Sequence, residues 1–272
     1  MLNILFVADV FARAGRRAAA EIIPRLVRDR NIDFCVVNGE NAAGGFGLTE
    51  NIVRKFKSYG ADVITTGNHV WDRKELLPVL NRTEFLLRPC NYPREVAGKG
   101  TVVVTSRRDI PVGVINLQGR THMPSIDCPF RAARAAAETL RRETPIVIID
   151  FHAEATAEKI ALGWHMDGLV SAVIGTHTHV QTADERILPR GTAYLTDAGM
   201  TGPHDSVIGV RAEIAVRRFL TQTPIRFKPA EENVKLCGAI VAVNEGSGKA
   251  EHIERLQLDL KSAGAEEDDE GD

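Results

Sequence analysis

Five short apolar runs, each ending in a polar cluster, set the pattern of this chain. Residues 1–8 run into Asp9, residues 33–37 into Asn38-Gly39-Glu40-Asn41, and residues 62–66 into Gly67-Asn68-His69. Further on, residues 145–149 run into Asp150-Phe151-His152, and Ser171-Ala172-Val173-Ile174-Gly175 leads towards His177-Thr178-His179. Short apolar runs bounded by turn signals read as buried strands. Polar residues just past a strand end fall in the loops where site chemistry concentrates. The five ends are therefore expected to gather oxygen and imidazole ligands along one sheet edge.

Between the runs, Ala19, Ile22, Ile23, Leu26 and Val27 at helical spacing predict a crossover helix over 16–28. Thr49 and Glu50 open a second, short helix. The intervening Gly44-Gly45-Phe46-Gly47 lacks the lysine-serine of a P-loop, so it reads as a flexible loop rather than a phosphate cradle. Strands alternating with helices signal parallel pairing, with functional loops at the carboxyl ends of the strands. Residues 101–104 and 112–115 flank Arg107-Arg108-Asp109 and predict a hairpin, and an alanine-rich helix follows over 131–142. Beyond His179, strands at 186–188, 192–195, 225–227, 236–243 and 253–258 surround one helix at 212–220 and predict a second, more antiparallel sheet. The whole reads as an α/β fold of two stacked sheets flanked by helices. One domain over 1–262 is expected, because the polar ends are spread from Asp9 to His179.

Composition adds limits. With 272 residues, 44% of them hydrophobic, the chain can bury a full core. The net charge of -2 includes six acids (Glu266, Glu267, Asp268, Asp269, Glu270 and Asp272) in the stretch 263–272, read as a disordered, solubilising tail. Without them the body stands at +4, a mild balance that suits anionic substrates. Cys35, Cys90, Cys128 and Cys237 are far apart and form no C-x-x-C pair, which argues against a zinc ribbon or a redox dithiol and for reduced thiols. The start lacks the features of a secretion signal, and no apolar run approaches the ~20 residues of a membrane helix. A soluble, cytoplasmic protein is expected.

A two-metal site for phosphoester hydrolysis needs ions about 3.5–4 Å apart, a carboxylate to bridge them and further ligands that leave room for water. Glu40 is the natural bridge. Asp9 can serve one ion and His152 with His177 the other, while Asn41, Asn68 and His179 complete the sets. Such oxygen and nitrogen ligands suit iron, manganese, zinc, nickel or cobalt alike. Only Asp9 and Glu40 are anionic, so two divalent ions leave the ligand set at about +2, a field that activates a bridging hydroxide and orients an anionic phosphate. His69, beside Asn68, is assigned general acid to the leaving oxygen. Taken singly, each residue has a plainer role. Asp9 could be a helix N-terminal acid, Asn41 and Asn68 left-handed turn residues, and His152 a core histidine bonded to Asp150 or Glu154. Their joint occurrence outweighs these.

With these residues in view, the chain resembles the calcineurin-like metallophosphoesterase superfamily. Its G-N-H block stands as Gly67-Asn68-His69-Val70-Trp71 and its G-H-x-H block as Gly175-Thr176-His177-Thr178-His179. Two blocks depart from the usual form. Asp9-Val10-Phe11 lacks the histidine of D-x-H, and Asn38-Gly39-Glu40-Asn41 carries glutamate in place of the bridging aspartate. Those departures, with Arg88-Pro89-Cys90-Asn91, Asn116-Leu117-Gln118-Gly119-Arg120 and 196–203, resemble the narrower YmdB-like phosphoesterases. The resemblance implies a four-layer α/β/β/α sandwich, a dinuclear centre often containing iron, and phosphodiesterase activity on cyclic nucleotides, 2',3' or 3',5'. It implies Asp9, Glu40, Asn41 and His179 on one ion and Glu40, Asn68, His152 and His177 on the other, with Asn41 filling the slot of the missing histidine and His69 as proton donor.

The competing readings are a phosphomonoesterase or ribonuclease using the same centre, a nucleotide-sensing regulator with incidental turnover, and an amidohydrolase. The last is disfavoured because its H-x-H pair comes early in the chain. A small phosphodiester is the expected partner, without a membrane; RNA and a homo-oligomer stay open. Arg88, Asn91, Arg120 and His204 are further polar candidates near substrate, although the arginines read equally as surface residues. His122 and His165 are read as non-ligands.

Overall fold

The first strand shows how the layers are assigned. In β1 (Leu2–Val7), Leu2, Ile4 and Phe6 enter one apolar cluster, whereas Leu5 and Val7 enter another. This is the period-two alternation of a strand, and apolar residues on both faces mean burial on both faces. The computed structural model describes residues 1–260. The acidic stretch at 263–272 and the expected domain limit at 262 lie outside the described residues.

After β1 come α1 (Ala12–Asp29), β2 (Phe34–Asn38), α2 (Glu50–Tyr59), β3 (Val63–Thr65), a 3-10 turn at Asn68–Trp71 and the short α3 (Leu77–Arg82). The hairpin of β4 (Thr101–Thr105) and β5 (Pro111–Gln118) leads to α4 (Pro129–Leu140), β6 (Val147–His152), α5 (Thr156–Met166) and β7 (Ala172–Thr176). Then follow β8 (Arg186–Ile187), β9 (Ala193–Leu195), β10 (Gly202–Pro203), α6 (Ala212–Thr221), β11 (Val234–Val243) and β12 (Ala250–Asp259).

Two six-stranded mixed sheets result, one in the order β10-β11-β1-β2-β3 with β12 on β11, the other in the order β4-β5-β6-β7-β9-β8. Between them lies a cluster that includes Phe6, Phe34, Val36, Val63, Ile148 and Ile174. The outer face of the first sheet packs under α1 and α2 through Ile22, Ile23, Leu26, Ile52, Val53 and Phe56. The outer face of the second packs under α4 and α5 through Ala133, Ala137, Leu162 and Met166. The layers are therefore α/β/β/α, as expected.

The assignment of the late strands needed correction. Rather than forming a sheet of their own, β11 runs antiparallel along β1 with β12 beyond it, while β8 and β9 extend the second sheet. The reason is burial. Leu236 and Ile240 face the helices, and Cys237, Ala239 and Val241 face the other sheet, so β11 belongs at the centre of a sandwich. Residues 225–227 form no strand; Phe227 instead packs on a small cluster with Phe11, Met200 and Val210. Helix α5 and strand β10 were not anticipated, and α1 starts four residues earlier than its apolar spacing suggested. The five polar strand ends consequently belong to two facing sheets rather than to one edge. Strands β1, β2 and β3 are parallel in the first sheet and β6 and β7 are parallel in the second, with their carboxyl ends at a common rim.

Candidate metal centre

All seven expected ligands and His69 meet at that rim. Asp9 follows β1 and is fully buried, and one of its oxygens accepts from the His177 backbone N–H at 3.1 Å. It caps no helix, since α1 begins at Ala12 with no side-chain cap. Glu40 follows β2 and is held by the backbone N–H groups of Gly67 and His69, the latter at 2.6 Å. Neither Asn41 nor Asn68 has positive φ, so neither serves as a left-handed turn residue. His152 is the last residue of β6, packed so tightly on Gly67 that a Cβ there would lie 2.0 Å from the ring.

Each imidazole has one nitrogen engaged from outside and the other aimed inward. His152 Nδ1 lies 3.0 Å from Thr176 Oγ1, which itself donates to Asp150 at 2.8 Å, so Nδ1 carries the proton and Nε2 is free. His177 Nε2 lies 3.0 Å from Glu154, leaving Nδ1 free. His179 Nδ1 meets the Ile208 carbonyl at 2.9 Å, leaving Nε2 free. The free nitrogens fall into two groups. His152 Nε2 is 3.0 Å from His177 Nδ1, 3.2 Å from Asn68 Oδ1 and 3.4 Å from Glu40 Oε1. His179 Nε2 is 3.2 Å from Asn41 Oδ1 and 3.5 Å from Asp9 Oδ2, and Asp9 Oδ1 is buried with no hydrogen-bond partner.

Lone pairs facing lone pairs in a buried site are unfavourable unless a cation or a proton lies between them. The chemistry of this set thus fits a metal. Counted over His, Cys, Asp and Glu alone, no group of three forms a ligand cluster among the described residues. The amide oxygens of Asn41 and Asn68 stand beside these side chains, one in each group. Without a metal, burial opposes charge on His152, but Glu40, Asp9 and Asp150 prevail and hold its pKa up at about 9. Burial, reinforced by the neighbouring His152, pushes His177 down to about 3. Burial also lifts Asp150 to about 6.

The backbone here is bent to purpose. His177 and His179 adopt φ values of 101° and 65°, which side-chain-bearing residues keep only when their surroundings enforce them. Asp197 supplies that restraint. It accepts from the Thr178 N–H at 3.1 Å and from its hydroxyl at 2.7 Å, and it is paired with the buried Lys159. Nor is the glycine loop simply flexible. The Arg73 guanidinium donates to the carbonyls of Ala43 at 2.6 Å and Phe46 at 3.2 Å, which sets the Phe46 ring edge-on to His69 at 4.9 Å. His69 Nδ1 lies 2.8 Å from Asp72, so Nε2 is the nitrogen left for the cavity.

The cavity has a volume of about 360 Å³. One wall is polar, with His69, His177, His179 and Asn41, and the other is apolar, with Phe11, Phe46, Ile208 and Phe227. Arg88, Asn91, Arg120, His122, His165 and His204 do not line it. Arg88 instead braces its own loop through the carbonyls of Pro89 and Pro93, and Asn91 bonds the backbone of Gln118 and Asp127. Sequence reasoning missed Asp72 and the role of Glu154. Asp72 sits three residues after His69, the spacing that shares a face of a helical turn, and was legible on that ground. The carbonyl of Ile208 left no signal in the sequence.

The family model of the YmdB-like proteins matches residues 5–256. A protein of Bacillus subtilis named a 2',3'-cyclic-nucleotide 2'-phosphodiesterase is 47% identical over 257 residues, 94% of this chain and 97% of that one. A crystal structure of a hypothetical protein from Thermus thermophilus superimposes with a TM-score of 0.89 at 39% identity, covering 96% of this chain and all of the other. The structure of a Mycoplasma pneumoniae protein described as a novel phosphatase does so with a TM-score of 0.88 at 33% identity, covering 95% and 93%. The chain belongs to the YmdB-like family.

Proposed function

We propose that this YmdB-like protein is a metal-dependent phosphoric diester hydrolase that opens cyclic nucleotides, 2',3' before 3',5'. The single observation that carries the reading is the convergence of imidazole, amide and carboxylate atoms into two buried groups at the rim, together with the orphaned Asp9 Oδ1. On this reading Asp9, Glu40, Asn41 and His179 hold one cation, and Glu40, Asn68, His152 and His177 hold a second. Iron is the first candidate, by the resemblance described above, ahead of manganese, zinc, nickel and cobalt. When bound, the ions supply Lewis-acid activation of water and neutralise the phosphate charge.

The chain's own groups do the rest. Glu40 is held in one orientation by two backbone N–H groups, so its carboxylate is set before any ligand arrives. Thr176, Glu154 and the Ile208 carbonyl fix the tautomers of the three histidines and keep their inner lone pairs available. Asp72 holds His69 through Nδ1, and Nε2 gives its proton to the departing sugar oxygen. The name of the Bacillus subtilis relative favours cleavage at the 2' oxygen. Water adds to phosphorus, the P–O2' bond breaks, and the product is a 3'-phosphate with a free 2'-hydroxyl. A cytoplasmic location goes with this reading, in line with four free cysteines and with no helix long and apolar enough to cross a membrane among the described residues.

Elemental analysis of the purified protein, with hydrolysis of 2',3'-cyclic AMP, 3',5'-cyclic AMP and an aryl phosphodiester before and after chelation, tests the proposal. The expected result is close to two transition-metal ions per chain, chelation-sensitive turnover and a 3'-phosphate product. Turnover that survives complete metal removal would refute it, and release of inorganic phosphate from monoesters in preference to diesters would point to a phosphomonoesterase.

A further inference from the structure

Part of the apolar wall of the cavity is shared with a neighbouring space. Ile208, Val210 and Phe227 also line a second cavity of about 370 Å³, whose far side is formed by Arg218, Phe219 and Gln222 on and just after α6. The two spaces lie on either side of that shared wall. In the second, the Arg218 guanidinium lies 4.5 Å from the centre of the Phe227 ring, while Phe219 is 73% exposed. Ile208 links the spaces physically. Its carbonyl holds His179, and its side chain, on a backbone with φ 48°, stands exposed between them.

Charge points the same way. Within residues 205–228, Arg211, Arg217, Arg218, Arg226 and Lys228 are all exposed, against only two acids, Asp205 and Glu213. The exposed Phe219 ring and the partly buried Phe227 ring stand among these arginines, and aromatic rings with arginines on a face of positive balance are a means by which proteins hold single-stranded nucleic acid: bases stack on the rings and cations attend the backbone. A cavity that shares a wall with the proposed phosphodiesterase site is placed to take more of the same substrate. A 2',3'-cyclic phosphate requires a ribose whose 3' oxygen carries no further nucleotide, so on a longer molecule it stands at the 3' end.

We propose that the substrate class is the 3' end of an RNA strand carrying a 2',3'-cyclic phosphate. The last nucleotide occupies the 360 Å³ cavity, and the one before it stacks beside Phe227 and Phe219 with its phosphate near Arg218 and Arg217. This rests on the phosphodiesterase reading above. Water adds to the terminal phosphorus, the P–O2' bond breaks and O2' takes the His69 proton, leaving a 3'-phosphate and an otherwise intact strand. Stacking is tolerant of base identity, so little sequence preference is expected.

The test compares kcat/KM of the metal-loaded protein for 2',3'-cyclic AMP with that for the dinucleotide ApA and the trinucleotide ApApA ending in the same cyclic phosphate. One added stacked base is expected to raise kcat/KM by about 5- to 150-fold, with a smaller gain for the third. The advantage should shrink as salt rises. Phe219→Ala and Arg218→Ala should each pull the dinucleotide-to-mononucleotide ratio towards one, and Phe219→Trp should restore it. Phe219 is exposed, and circular dichroism of each variant separates loss of preference from loss of fold. A ratio near one in the unaltered protein overturns the proposal, as does a high ratio that neither alanine variant lowers. A dimer that Phe219→Glu dissociates, with no dinucleotide preference, assigns the groove to a second copy of the chain and equally overturns it. No turnover of any cyclic phosphodiester by loaded protein would instead sink the underlying phosphodiesterase reading.

Discussion

The candidate ligand cluster around Asp9 and the wall around Ile208 meet at one cavity and are built by opposite means. Asp9, Glu40 and His152 are at most 1% exposed, and each stands at or within two residues of a strand end. Their partners are fixed backbone groups or buried side chains, so each has a single available geometry. Phe46, Ile208 and Phe219 stand exposed on loops or on the outer face of α6, and their neighbours constrain them from one side only. Both regions carry non-glycine residues at positive φ, His177 and His179 on one side and Ile208 on the other. Such backbone costs about 1–3 kcal/mol each, which the first region offsets with the Asp197–Lys159 pair behind the loop. The contrast teaches a division of labour: reactive groups are held by the sandwich, and what reaches them is decided by segments that tolerate change.

The contrast breaks most completely at Asp9. Asp9→Ala removes one of only two carboxylates in the proposed ligand set, and a fall in turnover of more than about 10³-fold is expected, with less than two metals per chain by elemental analysis. A variant that keeps both metals and most of its activity would remove Asp9 from the centre. His69, between the two regions, comes next. His69→Ala should lower hydrolysis of 2',3'-cyclic AMP by about 10²- to 10³-fold while metal content holds. The loss should be much smaller for a 4-nitrophenyl diester, whose leaving group needs no proton; equal losses for both substrates would rule out proton donation.

Glu154 sharpens the boundary, because it is half exposed yet bonded to His177. Glu154→Ala should weaken metal affinity by about 10- to 100-fold, read by competition with a chelating dye. An unchanged affinity would make that contact incidental.

The smallest effect concerns the metal-free protein. The pKa of His152 is raised from an unfolded value of 6.5 to about 9, so its contribution to stability is full below pH 6.5 and is lost as pH rises through 9. Thermal midpoints of chelated protein should therefore fall between pH 6.5 and 9, less steeply in His152→Gln, and metal loading at pH 7 should release a proton detectable by calorimetry in two buffers. A slope unchanged in the variant would place the titration elsewhere.

Much of the candidate site was legible because the residues proposed as ligands occupy equivalent places after successive strands. Each is at the end of an apolar run, and a run marks its own end without help from the rest of the chain. Helix α2 was legible for the same reason: Thr49 accepts from the Ile52 N–H, and Gly60 closes the helix in the left-handed conformation. Helix α5 was not, because Gly163 and an apolar surface that wraps most of its circumference blur the period of its sequence. Asp72 and the partnership of Glu154 with His177 rather than His152 were missed, because an acid near a histidine is common and only the direction of each side chain gives it a role.

By itself the sequence determined most of the strands, though not β10 or the absence of one at 225–227, and which side chains stand at the ends of the five apolar runs. Those are consequences of local spacing, since alternation and helical period express burial within a few residues. Tertiary structure alone decided that β11 joins β1, that the polar ends face one another across two sheets, and which nitrogen of each histidine points inward. The physical reason is that pairing and hydrogen bonding at this rim join residues as far apart as Asp9 and His177, whose contact is set by the packing of the whole sandwich rather than by anything near them in the chain.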